Sequence, residues 1–190
     1  MPLPPAVQLS TSELQKFAGI YWNPITEGLW MLSVKDGKLT DPGGGGSVLA
    51  PVDKNRFRIA GQAIEIVFEV PSDGARPTAM RKIAGAGKPQ RYEAVTAVTP
   101  LPKQIAEYAG AYFSKEIQTT YTFLFQGGEL VLQRNKAKNI TLKPTFADNF
   151  WNDQFGYIRF TRNPQGKVDG LLLTSGWIRR LRFVKTSRDS

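Results

Sequence analysis

The sequence predicts an all-β protein, built as two small antiparallel up-and-down β-barrels in tandem, each of about eight strands and each preceded by a short helix. Three observations carry that prediction. The chain repeats itself once, its apolar residues alternate with polar ones over short runs, and those runs are separated by Gly, Pro and Asn turn signals.

The repeat is the first of these. Leu14-Gln15-Lys16-Phe17-Ala18-Gly19-Ile20-Tyr21 returns as Ile105-Ala106-Glu107-Tyr108-Ala109-Gly110-Ala111-Tyr112, an offset of 91 residues from Tyr21 to Tyr112. Downstream, Asp36-Gly37-Lys38-Leu39 matches Gly127-Gly128-Glu129-Leu130 at the same spacing. Asp53 to Phe57 then faces Ala147 to Phe150 at an offset of 93, the drift that a loop insertion produces. The period is too long for a solenoid repeat and implies a duplicated domain. The chain accordingly divides into a proline-rich lead (residues 1–9), a first barrel repeat (10–96), a short proline-stiffened linker (97–102) and a second barrel repeat (103–190).

Each copy opens with a helical turn or two. Ser10 and Glu13 have capping-box spacing, and Pro102 suits the first turn of the second helix. Leu14 with Phe17, and Ile105 with Tyr108, fall on one helical face, and Gly19 and Gly110 fit the position that ends a helix. The second copy then reads as strands over Tyr112-Phe113, Thr119 to Phe125, Glu129 to Gln133 and Asn139 to Lys143. Asn149 to Trp151, Gly156 to Thr161, Lys167 to Thr174 and Trp177 to Lys185 follow. The first copy ends on Ala63 to Val70, Thr78 to Ile83 and Arg91 to Val95. Ile158 and Phe160 share a face opposite Tyr157 and Arg159, and Leu181 and Phe183 share one opposite Arg180 and Arg182, as in a sheet wetted on one side.

Composition narrows the chemistry. With no cysteine and no histidine, disulfides, thiolate metal sites, cysteine nucleophiles and the usual neutral-pH base are excluded. No metal or other cofactor is expected, and no residue is singled out as catalytic. No apolar run is long enough to span a membrane as a helix, and the start, Met1-Pro2-Leu3-Pro4-Pro5, lacks the pattern of a signal peptide and reads as a linker or the edge of a larger protein. The net charge of +9 is uneven: residues 1–95 hold 11 basic and 9 acidic side chains, residues 96–190 hold 14 and 7. An anionic partner should prefer the second copy.

Several motifs invite chemistry. Gly43-Gly44-Gly45-Gly46 lacks the strand, helix and Gly-Lys-Ser/Thr context of a phosphate loop and reads as a hairpin loop. Glu65 and Glu69 read as the wet face of a strand rather than an acid–base pair. Trp151, Tyr157 and Trp177 lie among the basic residues of the second copy and are the candidate ligand-binding residues. Arg179 joins them, being in alternation phase with Leu181 and Phe183; at a barrel mouth it suits a carboxylate or phosphate, and beyond the barrel it is solvated. Nucleic acid is the weaker reading of this cluster, because arginine alternating on an outer face is ordinary solvation.

The motif set resembles the lipocalin-like C-terminal domain appended to beta-lactamase-related serine hydrolases, the penicillin-binding-protein and D-aminopeptidase group. Its pieces here are Ile105 to Tyr112, Gly128 to Leu130, Asp148 to Phe150, Phe160-Thr161-Arg162 with Gly166, and Gly176 to Phe183. The resemblance covers most of the second copy and the opening of the first. It implies a bacterial, periplasmic or extracellular accessory domain pair, with a serine hydrolase catalytic domain as partner in the same or another chain. The family's catalytic motif is absent: no serine has a lysine three residues later. Tyr21-Trp22-Asn23 and Lys185-Thr186-Ser187 approach two other motifs of the catalytic domain but have no nucleophile to serve. The expectation is therefore a non-catalytic module that packs on a hydrolase and shapes access to its active site. The alternatives are a stand-alone barrel for a small apolar or anionic ligand, and a binder of anionic polymers or nucleic acid through the basic second barrel.

Overall fold

The structure is a computed structural model describing residues 7–42, 45–134 and 137–186, and the chain divides into two units between Thr96 and Ala97. Met1 to Pro5, Gly43, Gly44 and Ser187 lie outside the described residues. The first unit runs α1 (Thr11–Gln15), β1 (Gly19–Trp22), β2 (Leu29–Lys35), β3 (Lys38–Asp41) and β4 (Ser47–Pro51). It continues with β5 (Arg56–Ile59), β6 (Ile64–Glu69), β7 (Ala79–Ala84) and β8 (Gln90–Val95). The second unit runs α2 (Pro102–Ala106), β9 (Gly110–Ser114), β10 (Thr119–Gln126), β11 (Glu129–Leu132) and β12 (Ile140–Pro144). Then come β13 (Asn149–Asn152), β14 (Gly156–Arg162), β15 (Val168–Ser175) and β16 (Ile178–Lys185).

Each unit is a closed eight-stranded antiparallel barrel in which every strand pairs with its chain neighbours. Closure comes from the first and last strands: Ile20 faces Val95 in one barrel, and Phe113 faces Val184 in the other. A closed barrel leaves no strand edge to pair with another chain. Two segments assigned by sequence to the lead and the linker take part in the units. Leu9 packs against the first core, and the Val98 N–H donates to the Thr145 carbonyl at 3.0 Å. Among the described residues, no helix is long and apolar enough to cross a membrane.

The helices are single turns that could not persist alone. Ser10 Oγ accepts the Glu13 N–H at 3.3 Å and Glu13 Oε2 accepts the Ser10 N–H at 2.7 Å, the reciprocal pair the spacing predicts. At α2, Pro102 opens the helix and Gln104 Oε1 accepts the Leu101 N–H at 2.7 Å. Leu14, Phe17, Ile105 and Tyr108 are all buried, so each helix plugs one end of its own barrel.

Duplication extends to the packing of that plug. In the first barrel Phe17 meets Phe57 at 4.9 Å and Phe68 at 4.7 Å between ring centroids, and Tyr21 meets Phe68 at 5.5 Å. In the second, Tyr108 meets Phe150 at 4.9 Å and Phe160 at 4.7 Å, and Tyr112 meets Phe160 at 5.6 Å. Tyr21 OH donates to the Phe17 carbonyl at 3.0 Å, as Tyr112 OH does to that of Tyr108 at 2.7 Å. The repeated aromatic-x-x-x-Tyr spacing thus encodes one device twice: a tyrosine inside the barrel ties down the helix that plugs it.

Gly19 and Gly110 do a different job from the helix-ending one expected. The C-caps are Lys16 and Glu107, and the glycines are instead the first strand residues, at φ +142° and +144°. A cation passes over each. Arg76 Nη2 donates to the Ala18 carbonyl and Lys185 Nζ to the Glu107 carbonyl, both at 2.9 Å, so a Cβ on either glycine meets that side chain.

Candidate functional site: a basic and aromatic face on the second barrel

Strand register decides which side chains of the second barrel share its outer surface. Lys143 faces Trp151, Trp151 faces Tyr157, and Tyr157 faces Thr174, a row across β12 to β15. Beside it, Arg159 faces Leu172 and Leu172 faces Arg182. Phe150, Ile158, Leu171, Leu173 and Leu181 belong to the buried core, so by alternation both rows point outward. Directly opposed residues on one face lie within side-chain reach, and Trp151 and Tyr157 are accordingly both half-buried.

Trp177 and Arg179 sit past the end of these rows, on the hairpin between β15 and β16. Trp177 is 100% exposed. Arg179 leaves the inward phase its sequence position suggested, because β16 carries a bulge. Ser175 pairs with Ile178 but Leu173 pairs with Leu181, so Thr174 alone spans Arg179 and Arg180. Arg180 takes up the extra residue at φ +54°, and its N–H donates to Thr174 Oγ1 at 3.3 Å. Arg179 is exposed, and its guanidinium donates to the carbonyls of Gly176 and Ile178. The structure therefore brings Trp151 and Tyr157 together, and sets Trp177 and Arg179 at the hairpin tip. None of the four faces the barrel interior.

No family model matches this chain, and no curated protein matches it. The internal comparison between its own two barrels is more informative. Aligned on Phe68 and Phe160, Glu65 stands where the second copy has Tyr157, and Val67 where it has Arg159. On the first barrel three outer arginines meet carboxylates: Arg58 with Glu65 at 2.8 Å, Arg81 and Arg91 with Glu69 at 2.8 and 3.2 Å, and Arg91 with Glu93 at 3.0 Å. Hydrogen bonds from Arg81 and Arg91 hold the Glu69 carboxyl below its ordinary pKa. On the second barrel, β12, β13, β14 and β16 contain no acidic residue. The Asp169 carboxylate of β15 accepts from Thr161 Oγ1 at 2.6 Å. The described ion pairs of the first barrel lie on these outer strands, whereas those of the second gather at Arg162.

Two other places on the second barrel concentrate polar groups. At the helix end, Arg162 donates to Asp148 Oδ1 at 2.9 Å, Glu107 Oε2 at 3.0 Å, the Gly166 carbonyl at 2.8 Å and Tyr108 OH at 3.3 Å. Tyr108 OH in turn donates to Asp148 Oδ1 at 2.8 Å, and burial together with Asp148 pushes this phenol up to about 12. Burial works against the Arg162 cation, but these acceptors outweigh it and raise its pKa. All donor nitrogens of Arg162 are committed to the protein, so this groove is a structural clasp. At the opposite end a solvent-open recess of about 520 Å³ is lined by residues including Tyr121, Phe155, Ile140 and Arg134. Tyr121 stacks on Phe183 at 4.8 Å and meets Phe155 at 5.4 Å, forming an aromatic floor.

The motif look-alikes also find their places. Asn23 is buried, and its Oδ1 accepts the N–H groups of Ile25 and Thr26 at 2.9 and 3.0 Å, shaping the turn after β1. Glu65 and Glu69 lie in ion pairs on the outer face. Among the described residues, no group of three or more His, Cys, Asp or Glu side chains is placed to hold a metal. Lys143 and the Arg162 clasp went unread in sequence. Lys143 joins the face only through its register with Trp151, and Arg162 is assembled with residues 54 and 55 positions away.

Proposed function

We propose that the chain is a non-catalytic accessory module of a serine beta-lactamase-like hydrolase, packing on it and shaping access to its active site. The observation that carries a surface role is that aromatic side chains occupy both barrel interiors, with Phe57, Phe68, Phe123, Phe150, Phe160 and Phe183 all buried. The basic and aromatic face of the second barrel is the surface best suited to a partner, since interface cores favour Trp, Tyr and Arg. The resemblance of the repeated opening and closing motifs supports a hydrolase as that partner and an extracytoplasmic location with it. The test mixes the chain with a D-aminopeptidase-type hydrolase from the same genome and follows complex formation and KM for small and bulky substrates. A complex lost on Trp151→Ala or Arg159→Glu, with KM changing more for the bulky substrate, is the expected result. No complex at micromolar concentration and unchanged kinetics would overturn it.

The far-end recess favours a second reading, a lipocalin-like small-ligand binder. Its aromatic floor and Arg134 suit a small apolar anion. Calorimetric titration with short fatty acids and aromatic carboxylates tests it, and heat that survives Arg134→Ala and Phe155→Ala counts against the site.

A further inference from the structure

The tip of the β15–β16 hairpin presents apolar area to water where nothing in the fold requires it. Trp177 is 100% exposed and Ile178 is 45% exposed. An indole usually buries most of its area or finds a partner. The turn beneath is held in place: Gly176 adopts φ +54°, and Arg179 donates to the carbonyls of Gly176 and Ile178 at either side of Trp177. The indole is thus displayed at the end of a closed hairpin.

Charge along the hairpin itself has one sign. From Gly170 to Thr186 the chain has no acidic residue and carries Arg179, Arg180, Arg182 and Lys185, the three arginines being exposed. We propose that this hairpin docks the second barrel on an anionic phospholipid surface, with Trp177 and Ile178 entering the headgroup layer and the arginines facing acidic headgroups. Tryptophan settles at the membrane–water boundary, and basic side chains beside it are drawn to the negative surface potential. A soluble polyanion offers the charge but no apolar layer for the two tip residues. A protein pocket would need acidic groups at particular positions, whereas a lipid surface matches an acid-free strand at any azimuth. The proposal does not depend on a hydrolase partner.

The experiment uses the full chain and sedimentation with vesicles, either pure phosphatidylcholine or phosphatidylcholine with phosphatidylserine at roughly 7:3. Binding to the mixed vesicles, with little to the neutral ones, is expected, and lipids brominated near the headgroup should quench tryptophan emission. Trp177→Ala removes no packing contact and should lower the partition coefficient about tenfold. Arg182→Ala should lower it about fivefold. Equal binding to neutral vesicles, or a partition untouched by Trp177→Ala, overturns the proposal. So does retention on heparin or capture by a protein with no vesicle binding, which reassigns the tip to that partner.

Discussion

Gly19 and Gly110 show how one residue can carry two constraints. Each sits at strongly positive φ, a conformation that costs an L-side chain about 1–3 kcal/mol. Each also lies under a cation that reaches back to a carbonyl after the helix, Arg76 to Ala18 and Lys185 to Glu107. Gly19→Ala and Gly110→Ala should therefore each destabilise their barrel by about 1–3 kcal/mol, read as a lower urea midpoint at constant slope. Unchanged midpoints in both variants would refute the argument. The neighbouring tyrosines make a second residue-level prediction. Burial pushes the Tyr21 phenol up to about 12 and raises Tyr112 as well, while burial and Asp148 bring Tyr108 to about 12. The unfolded chain releases these protons near the ordinary value of about 10. The folded state therefore binds more protons through that window. Its tyrosine-linked stability is complete below pH ~10 and is lost as pH rises toward ~12. Denaturation midpoints should be flat up to that point and then fall, with late tyrosine ionisation in the ultraviolet. If Tyr21, Tyr108 and Tyr112 titrate near the ordinary value of about 10, the burial argument fails.

Among the elements, the end of strand β14 is the place that joins several others. Arg162 connects the C-cap of α2 at Glu107, the loop residue Asp148 and the β14–β15 turn at Gly166. Its side chain is 30% exposed, so the Coulombic share is partly screened and the hydrogen bonds dominate. Arg162→Ala should cost about 2 kcal/mol and speed amide exchange in α2 and the Ala147–Asn149 loop. Arg162→Lys, which cannot reach three acceptors in a plane, should recover less than half of that. Exchange in α2 indistinguishable from the parent chain would show that the buried residues alone hold the helix. Strand limits were legible in the sequence because their signals are local. Thr119 to Phe125 was expected where Thr119–Gln126 forms, and Gly156 to Thr161 where Gly156–Arg162 forms. Alternation and glycine turns are written in consecutive residues. The bulge at Arg180 was not legible, since an arginine in the left-handed region leaves no mark on composition. The roles of Gly19 and Gly110 were hidden for a different reason: their cations arrive from residues 58 and 78 positions away from the carbonyls they meet. The outer face was half legible. Its residue types could be read, but the row Lys143–Trp151–Tyr157 depends on registers that loop lengths set.

At the scale of the whole chain, the duplication has kept the core and changed the surface. Both barrels close by the same strand order and plug one end with the same aromatic and tyrosine device. The outer charge has diverged, with Glu65 and Glu69 pairing the first barrel's arginines while the matching strand of the second carries Tyr157 and Arg159. Anion binding should therefore segregate with one unit. Each unit has its own closed sheet and its own core, so residues 1–96 and 97–190 can be produced separately. Fragment 97–190 should be retained on heparin at low salt and elute as salt rises, with the logarithm of affinity falling linearly against the logarithm of salt. Fragment 1–96, with a net charge of only +2 and with Arg58, Arg81 and Arg91 engaged by carboxylates, should pass through. Reversing two charges of the basic face, with Arg159→Glu and Arg182→Glu, should abolish retention of the second fragment while leaving its circular dichroism unchanged. Equal retention of the two fragments would mean that net charge is not what the divergence selected, and that the paired arginines of the first barrel are as available to an anion as those of the second.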